Sequence, residues 1–317
     1  MELGGLHHLT AVTTDAGQNV DFYTRVLGMR LVKKTVNQDD VSAYHLFYAD
    51  ALGSPGTDVT FFDWPHLRVA PNRPGGGEVS NTALRVPDRA ALQWWAERLE
   101  GFGIPHGGIE EAEGRLQLDF EDPEGQRLRL TEDRGEGTEA GKPWDEGEVP
   151  AEFGVRGLAS VDLTVRDLEP TEWTLTEALG FRKTGEKREE GGRTALYEVG
   201  PGGPGATVRV LERPGSPFAR LGRGGVHHVA FRTPNDEEHA LWREKLRATG
   251  LGVTPLIDRF YFRSIYFREP GGVLFEIATD GPGFATDEDP NHLGERLSLP
   301  PFLEDRREEI ESRLTPV

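Results

Sequence analysis

The chain contains no cysteine, and this absence excludes disulfide bonds, zinc fingers and catalytic thiolates. It also lacks any apolar run near the roughly eighteen residues that a membrane span requires, so we expect no membrane contact. Positive charge is scarce, because the formal net charge is −18 at pH 7. A surface that binds nucleic acid must supply positive charge, so we expect no nucleic-acid partner.

Two other common features are missing. Glycine-rich runs at 75–77 and 200–205 lack the lysine and the strand-to-helix context of a phosphate-binding loop, so we interpret them as turns. The first residues run directly into a predicted strand, so we expect no signal peptide and a cytoplasmic protein. With 317 residues and 36% hydrophobic content, the chain can form two domains of ordinary size.

What the chain does contain is an internal repeat. An interval of 147 residues superposes 82–87 on 229–234 and, without a gap, 123–130 on 270–277. A single interval that holds at both ends of such a block is hard to obtain by chance. The repeat therefore indicates duplicated structural units.

A second pair of related segments, 5–29 and 157–181, extends the repeat to four units. Each unit reads as one strand, one helix and then three strands. In the first unit the predicted elements are a helix over 18–27 and strands over 6–14, 29–36, 42–48 and 58–63. The later units begin near Glu78, Phe153 and Gly224. The predicted fold is α+β, with four βαβββ units forming two domains with cupped mixed β-sheets.

The order of the units and the composition predict the domain boundaries. Units one and two form a domain over 1–135, and units three and four form another over 153–282. Residues 136–152 are rich in Gly, Glu and Pro and poor in large apolar side chains, which predicts an acidic linker. A tail over 283–317 carries a helix over 301–314, whose few apolar positions place it on the surface.

The dipeptide His-His occurs twice, as His7-His8 and His227-His228, each in a short apolar run just after glycine. Glu276 lies in a third apolar run near the end of the fourth unit. Two histidines and one carboxylate are the ligands of a mononuclear metal site. Because these segments are far apart in sequence, the site forms only if the fold brings the first and last quarters of the chain together.

The two middle units lack these ligand types. At the positions that correspond to His8, His228 and Glu276 they hold, in that order, Ser160, Asn81 and Arg129. A packing requirement of the strand would recur in every copy, so the asymmetry favours a functional site. It also indicates that the first unit faces the fourth and that the second faces the third.

Strand alternation selects one histidine from each pair. Glu276 alternates with Phe275 and Ile277, which we expect to face the helices, so Glu276 faces the concave side. By the same logic the second histidine of each pair faces the cavity. We therefore predict His8, His228 and Glu276 as metal ligands, with His7 and His227 as the alternatives.

These features resemble the vicinal oxygen chelate superfamily, which contains glyoxalases, bleomycin-resistance proteins and extradiol dioxygenases. The resemblance covers 3–280 and is carried by the repeated βαβββ unit, the Leu-His-His-Leu-Thr start, the segments 20–23 and 27–29, and the Gly-His-His strand with a late glutamate. Within the superfamily the chain is most similar to two-domain ring-cleaving dioxygenases that act on hydroquinones.

The resemblance implies an extradiol-type ring-cleaving dioxygenase that takes a small hydroquinone- or catechol-type aromatic and O2. The implied cofactor is Fe(II), with Mn(II) as the alternative, held by the three predicted ligands. This architecture often forms a homo-oligomer, although the sequence leaves the subunit number open. Around the metal the resemblance implies five further site residues, namely His7, Thr10, His227, Arg259 and Tyr266.

The residues themselves support these additions unequally. If 270–272 closes a hairpin, Tyr266 lies opposite Glu276 or within one residue of it, so the two share a face. Arg259 has the opposite strand parity and reaches the cavity only if the chain bends near it. For His7 and His227, alternation points away from the metal whereas the resemblance places them near it, and both readings stay open.

Two alternative functions fit the same scaffold. A glyoxalase-type isomerase or lyase would use Ni(II), Zn(II) or Mn(II) without O2, and it commonly needs a fourth protein ligand. The last strand of the first unit, the place for such a ligand, reads Val-Thr-Phe-Phe over 59–62 and has no carboxylate before Asp63. This favours the open three-ligand site. A metal-free protein that binds an aromatic ligand is the second alternative.

The remaining histidines and the helix tryptophans have no partner pattern. We interpret the histidines as structural or exposed, namely His45, His66, His106, His239 and His292. Because Trp94, Trp95 and Trp242 lie on predicted helices, we expect them in the core.

Overall fold

The structure is a computed structural model that describes residues 1–64 and 69–317; the predicted structural residue His66 lies outside these ranges. The first unit comprises β1 (Leu6–Thr13), α1 (Ala16–Val20) with a π-helical continuation (Asp21–Val26), β2 (Arg30–Asn37), β3 (Asp40–Ala49) and β4 (Asp58–Asp63). The second comprises β5 (Glu78–Val86), α2 (Arg89–Gly101), β6 (Glu110–Ala112), β7 (Arg115–Glu121) and β8 (Arg127–Glu132).

The other two units repeat this order. The third comprises β9 (Leu158–Val165), α3 (Leu168–Trp173) with a π-helical continuation (Thr174–Ala178), β10 (Arg182–Glu189), β11 (Gly192–Glu198) and β12 (Thr207–Glu212). The fourth comprises β13 (Val226–Thr233), α4 (Asp236–Ala248), β14 (Ile257–Asp258), β15 (Arg263–Arg268) and β16 (Leu274–Thr279). The predicted α+β fold of four βαβββ units is thus confirmed.

The described residues form two eight-stranded mixed sheets. The first sheet has the strand order β14-β15-β16-β13-β1-β4-β3-β2, and the second has the order β10-β11-β12-β9-β5-β8-β7-β6. The antiparallel pairs β1–β13 and β5–β9 join the units at the centre of each sheet. The first unit therefore pairs with the fourth and the second with the third, as the loss of ligand types in the middle units predicts.

Helix caps and strand alternation explain why the sequence forms these elements. Each of the four unit helices begins at an acidic or amide side chain that accepts a backbone N–H, namely Asp15, Asp88, Asp167 and Asn235. Along β16 the side chains of Phe275 and Ile277 join the main core, where Trp95 and Trp242 are buried as predicted. Among the described residues, no helix is long and apolar enough to cross a membrane.

The linker and the tail pack against the sheets. Within 136–152, Val149 is buried and lies so close to Gly28 that a side chain at this glycine, whose φ is +66°, would collide with it. The continuous helix predicted over 301–314 is wrong, because a 3-10 helix (Pro301–Arg306) precedes a short α5 (Arg307–Glu311). Leu303 and Ile310 are buried with Val36 and Leu299, so the tail closes a small core of its own over β2.

Candidate metal centre

Three side chains from β1, β13 and β16 converge at the centre of the first sheet. Nε2 of His228 lies 2.9 Å and Nε2 of His8 3.3 Å from Oε2 of Glu276. One ligand atom of each residue lies within 4.8 Å of the other two, and all three side chains are buried. The structure therefore brings together the ligands that the sequence predicts, and it selects the second histidine of each pair.

Two β-bulges explain why the dipeptide His-His appears at both positions. Between β1 and β13 the register passes from Leu6↔Phe231 to His8↔Ala230, so His7 is an extra residue. The register passes from Thr10↔His228 to Ala11↔Val226, so His227 is extra as well. A bulge redirects side chains and suspends alternation. The alternation argument that points His7 and His227 away from the metal is therefore wrong at these two residues.

Each bulge places a histidine behind a candidate ligand. Nδ1 of His7 lies 2.8 Å from Nδ1 of His8, and Nδ1 of His227 lies 2.8 Å from Nδ1 of His228. Nε2 of His7 lies 3.1 Å from the carbonyl of Thr279. Because a carbonyl only accepts, Nε2 of His7 carries the proton and Nδ1 accepts from His8. This fixes the tautomer that leaves the Nε2 lone pair of His8 free for a metal.

The burial of Glu276 indicates a cation at this position. Oε1 of Glu276 accepts a hydrogen bond of 2.5 Å from Ser264, whereas the fully buried Oε2 faces Nε2 of His8 and Nε2 of His228. Burial opposes ionisation, yet His8 and His228 hold the pKa of Glu276 well below its usual range, so it is a carboxylate at neutral pH. A buried carboxylate that converges with two imidazoles is a donor set that fits a divalent ion.

Thr10 lies beside this position. Its Oγ1 is 3.0 Å from Nε2 of His228 and 2.8 Å from Oγ1 of Thr60. Thr60 pairs with Thr10 across β1–β4, just as Glu276 pairs with Ala230 across β13–β16. The position related to Glu276 in the first unit therefore holds a hydroxyl in place of a fourth ligand.

Tyr266 and Arg259 complete the wall on the fourth-unit side. Tyr266 pairs directly with Glu276 across β15–β16, as the hairpin argument predicts. The chain bends at Phe260, whose φ of 71° is left-handed, and the guanidinium of Arg259 lies 5.5 Å from the ring centre of Tyr266. Burial and the Glu276 carboxylate raise the pKa of Tyr266 despite the opposing Arg259 charge, so its hydroxyl stays protonated.

A pocket with an empty volume of about 440 Å³, which includes space open to solvent, lies in front of the centre. Its apolar wall includes Phe47, Phe62 and Phe262. At its mouth Arg259 donates to Asp39 over 2.9 Å, and the side chain of Gln38 donates to the carbonyl of Arg259 over 2.9 Å. The β2–β3 turn therefore holds the bend that carries Arg259.

His45, which the sequence analysis interprets as structural or exposed, is half-buried, lines the pocket, and its Nε2 lies 3.0 Å from Thr60 Oγ1. Alternation along β3 contained the signal, since Tyr44 and Leu46 face the core and leave His45 on the concave side. Of the remaining predicted structural histidines, His239 is buried and lies 3.0 Å from the carbonyl of Ile277.

Comparison with known proteins places this geometry in a family. The model of the glyoxalase/bleomycin resistance protein/dioxygenase superfamily matches residues 5–130 and 157–277. The chain is 47% identical to MhqA of Bacillus subtilis, named as a ring-cleaving dioxygenase, with 100% of both chains covered. It is 36% identical to the chlorohydroquinone/hydroquinone 1,2-dioxygenase of Sphingobium indicum, covering 96% of this chain and 94% of that protein.

A solved structure agrees with these sequence matches. The crystal structure of a Bacillus subtilis protein described as a dioxygenase superposes with a TM-score of 0.91 at 39% identity, covering 99% of this chain and 97% of that one. The matched residues span all four units and include the two histidine pairs and the late glutamate. The chain belongs to the glyoxalase/bleomycin resistance protein/dioxygenase superfamily.

Proposed function

We propose that this protein is an Fe(II)-dependent dioxygenase that opens the ring of a hydroquinone- or catechol-type aromatic, breaking a bond beside a hydroxyl-bearing carbon in the extradiol manner. The observation that carries the proposal is the convergence of His8, His228 and Glu276 at the floor of an aromatic-lined pocket. The names of the relatives, ring-cleaving dioxygenase and hydroquinone dioxygenase, support the same reaction.

The donor set fits iron better than the alternatives. Two imidazoles and one carboxylate on one face leave open positions, which is the arrangement of non-haem Fe(II) oxygenases. A metal held there would lower the pKa of a coordinating phenol and would pass electron density from the phenolate to O2. Mn(II) accepts the same donors, so the choice between the two ions is a matter for metal analysis.

The chain's own residues have separate tasks in this reaction. His7 fixes the tautomer of His8, His227 contacts Nδ1 of His228 from behind, and Ser264 orients Glu276. The protonated Tyr266 hydroxyl donates a hydrogen bond to oxygen of the substrate or of O2. Arg259, a permanent cation on the pocket wall, stabilises negative charge that develops there.

An isomerase of the glyoxalase type is the weaker candidate. Such a site needs a fourth protein ligand, and the related position holds Thr60, whose hydroxyl already contacts Thr10 and His45. A metal-free binding protein would have no use for a fully buried carboxylate that converges with two buried imidazoles. The three-ligand dioxygenase accounts for both features.

The test is oxygen uptake by protein loaded with Fe(II) in oxygen-free buffer and then mixed with O2 and a panel of hydroquinones and catechols. We expect uptake that requires both Fe(II) and a ring substrate, and a ring-opened product by mass spectrometry. The Glu276→Gln variant should lose the activity. Coordination of ring substrates without oxygen uptake would exclude a dioxygenase, and the position of the broken bond in the product decides the cleavage type.

A further inference from the structure

An ion pair spans the mouth of the pocket. Nη2 of Arg259, in the fourth unit, donates to Oδ2 of Asp39, in the β2–β3 turn of the first unit, over 2.9 Å. Apart from histidines, Asp39 and Arg259 are the charged side chains among the described residues that line the pocket. The pair therefore decides the net charge of the mouth, and the two charges offset each other.

Both partners are held in place by contacts that do not involve their charges. The side chain of Asn37 accepts from the backbone N–H of Asp39 over 2.9 Å, and the backbone N–H of Arg259 donates to the carbonyl of Phe262 over 2.9 Å. Gln38 in turn donates to the carbonyl of Arg259. We therefore expect a substitution of Asp39 to break the ion pair without moving the turn or the bend.

The two partners differ in their access to water. The side chain of Arg259 is 17% exposed, whereas that of Asp39 is 73% exposed. A guanidinium that is shielded from water interacts with a charge in the pocket more strongly than one in open solvent. Arg259 without its partner would therefore attract an anionic group on a bound ring, and Asp39, at 2.9 Å, counteracts this attraction.

A carboxylate on the ring would need such a counter-charge. It would leave water for a wall that includes Phe47, Phe62 and Phe262, and a charged group that loses water without gaining a partner is strongly disfavoured. At the floor of the pocket, a divalent ion would already be matched by the Glu276 carboxylate and by one phenolate oxygen of the substrate. The charge of the mouth therefore decides whether a ring carboxylate is accepted.

We propose that Asp39 determines the charge of the ring substituents that the pocket accepts; the inference rests on the proposed function. By pairing with Arg259, Asp39 offsets the cation that would bind a ring carboxylate, and it adds a repulsive charge at the mouth. The pocket therefore selects hydroquinone- or catechol-type rings with uncharged substituents over rings that carry a carboxylate.

The test compares two ligands in several protein variants, by calorimetry with Fe(II)-loaded protein in oxygen-free buffer, so that no turnover occurs. The ligands are 2,5-dihydroxyphenylacetate and its uncharged amide of the same shape. Hydroquinone, measured beside them, shows whether each variant has kept its pocket.

Asp39→Asn removes one charge at constant size, and the double variant Asp39→Asn with Arg259→Gln removes both charges. Asp21→Asn is the matched control, because Asp21 also pairs with an arginine, Arg25, but does not line the pocket. The quantity to compare is the dissociation constant of the carboxylate divided by that of the amide. Any contribution of metal coordination is common to all variants and cancels when their ratios are compared.

The wild-type protein and Asp21→Asn should bind the amide more tightly than the carboxylate and should share one ratio. Asp39→Asn should lower the ratio at least about fivefold, because the carboxylate gains a free guanidinium and loses a like charge. The double variant should lose most of that gain, since the guanidinium is no longer there.

An unchanged ratio in Asp39→Asn would overturn the inference, as would tighter binding of the carboxylate than of the amide by the wild-type protein. A gain that persists in the double variant would show that Arg259 is not the counter-charge, and it would overturn the inference as well. If hydroquinone binds but neither substituted ring does, size rather than charge decides, which also contradicts it. If the wild-type protein does not bind hydroquinone at all, the proposed function itself fails.

Discussion

The two sheets have the same strand arrangement, but the side chains at their centres carry opposite charges. In the second sheet Ser80 and Ala159 are the extra residues of two bulges, at the positions related to His227 and His7. The bulges therefore belong to the fold and exist without a metal site. What differs is the side chain that each bulge presents, so the scaffold supplies the geometry and a few residues decide the chemistry.

An internal ion-pair network fills the second centre. Arg129, at the position related to Glu276, lies 2.6 Å from Asp119 and 3.1 Å from Asp162, and Arg209 lies 3.6 Å from Asp162. Burial opposes the charge of Arg129, yet the two carboxylates raise its pKa. The second sheet thus carries its own cation as a guanidinium, whereas the first has a buried carboxylate that faces two imidazoles.

The largest expected effect separates the two centres by metal affinity. Glu276→Gln should weaken Fe(II) binding at least about 100-fold, since the amide removes the negative charge that offsets the ion and even a supporting residue commonly costs 10- to 100-fold. Equilibrium dialysis in oxygen-free buffer with metal analysis measures the affinity. Arg129→Gln is the matched control and should keep wild-type affinity, so equal losses in both variants would contradict the assignment.

The second effect concerns stability and should appear only at the other centre. Arg129→Met leaves the buried carboxylate of Asp162 short of its nearest partner, so we expect the free energy of unfolding to fall by about 3 kcal/mol. Denaturant titration measures the loss. Arg25→Met, which removes an exposed pair with Asp21, should cost less than about 1 kcal/mol. A small loss in Arg129→Met would show that the network does not stabilise the second sheet.

The bulge histidines should have an intermediate effect. His7→Phe keeps the ring volume but releases the tautomer of His8, and we expect Fe(II) affinity to fall about 10- to 100-fold. Ser80→Ala changes the extra residue of a bulge in the second sheet and should leave the Fe(II) affinity unchanged. Unchanged binding in His7→Phe would mean that the bulge serves backbone geometry alone.

The last effect depends on pH and concerns the β7–β8 and β15–β16 hairpins, each of which contacts a unit of the other sheet. Asp122, in the β7–β8 hairpin, accepts from Tyr23 of the first unit over 3.2 Å, and burial raises its pKa from 3.8 to about 6. Its protonated form is favoured by folding, so this stabilisation is complete below the unfolded pKa and is lost as pH rises through 6. Asp122→Asn should therefore gain stability relative to wild type between about pH 4 and 7, by at most about 3 kcal/mol.

Chemical denaturation across this pH range measures the difference. The related hairpin of the first sheet carries Glu269, which accepts from Thr171 over 2.9 Å and whose pKa is also raised by burial. Glu269→Gln should change stability with the same sign. Parallel pH curves for wild type and Asp122→Asn would show that Asp122 does not bind its proton more tightly in the folded state.

The sequence predicted the three side chains that converge at the candidate metal centre, because an internal repeat allows positions within one chain to be compared. His8, His228 and Glu276 are recognised as candidate ligands when the units are aligned, because the middle units hold Ser160 and other non-ligand residues at these positions. The order of strands and helices within each unit follows from the alternating hydrophobic patterns. The pairing of units was predictable for the same reason. The sequence was sufficient for the features that depend on the type of side chain at one strand position.

The features that were not predicted depend on tertiary contacts that a sequence pattern does not encode. Strict alternation fails at His7 and His227, because a bulge inserts one residue into the pairing of β1 with β13. The contact between His45 and Thr60 depends on the register of β3 with β4. In the tail, Pro300 and Pro301 begin a 3-10 helix where helical composition predicted an α-helix.

The most direct test of the account locates the metal. Crystals of protein loaded with Fe(II) without oxygen would be measured at the iron absorption edge. The account predicts one anomalous peak per chain, about 2.0–2.2 Å from Nε2 of His8, Nε2 of His228 and a carboxylate oxygen of Glu276. A peak beside Arg129 in the second sheet, or no peak between the two histidines, would contradict it.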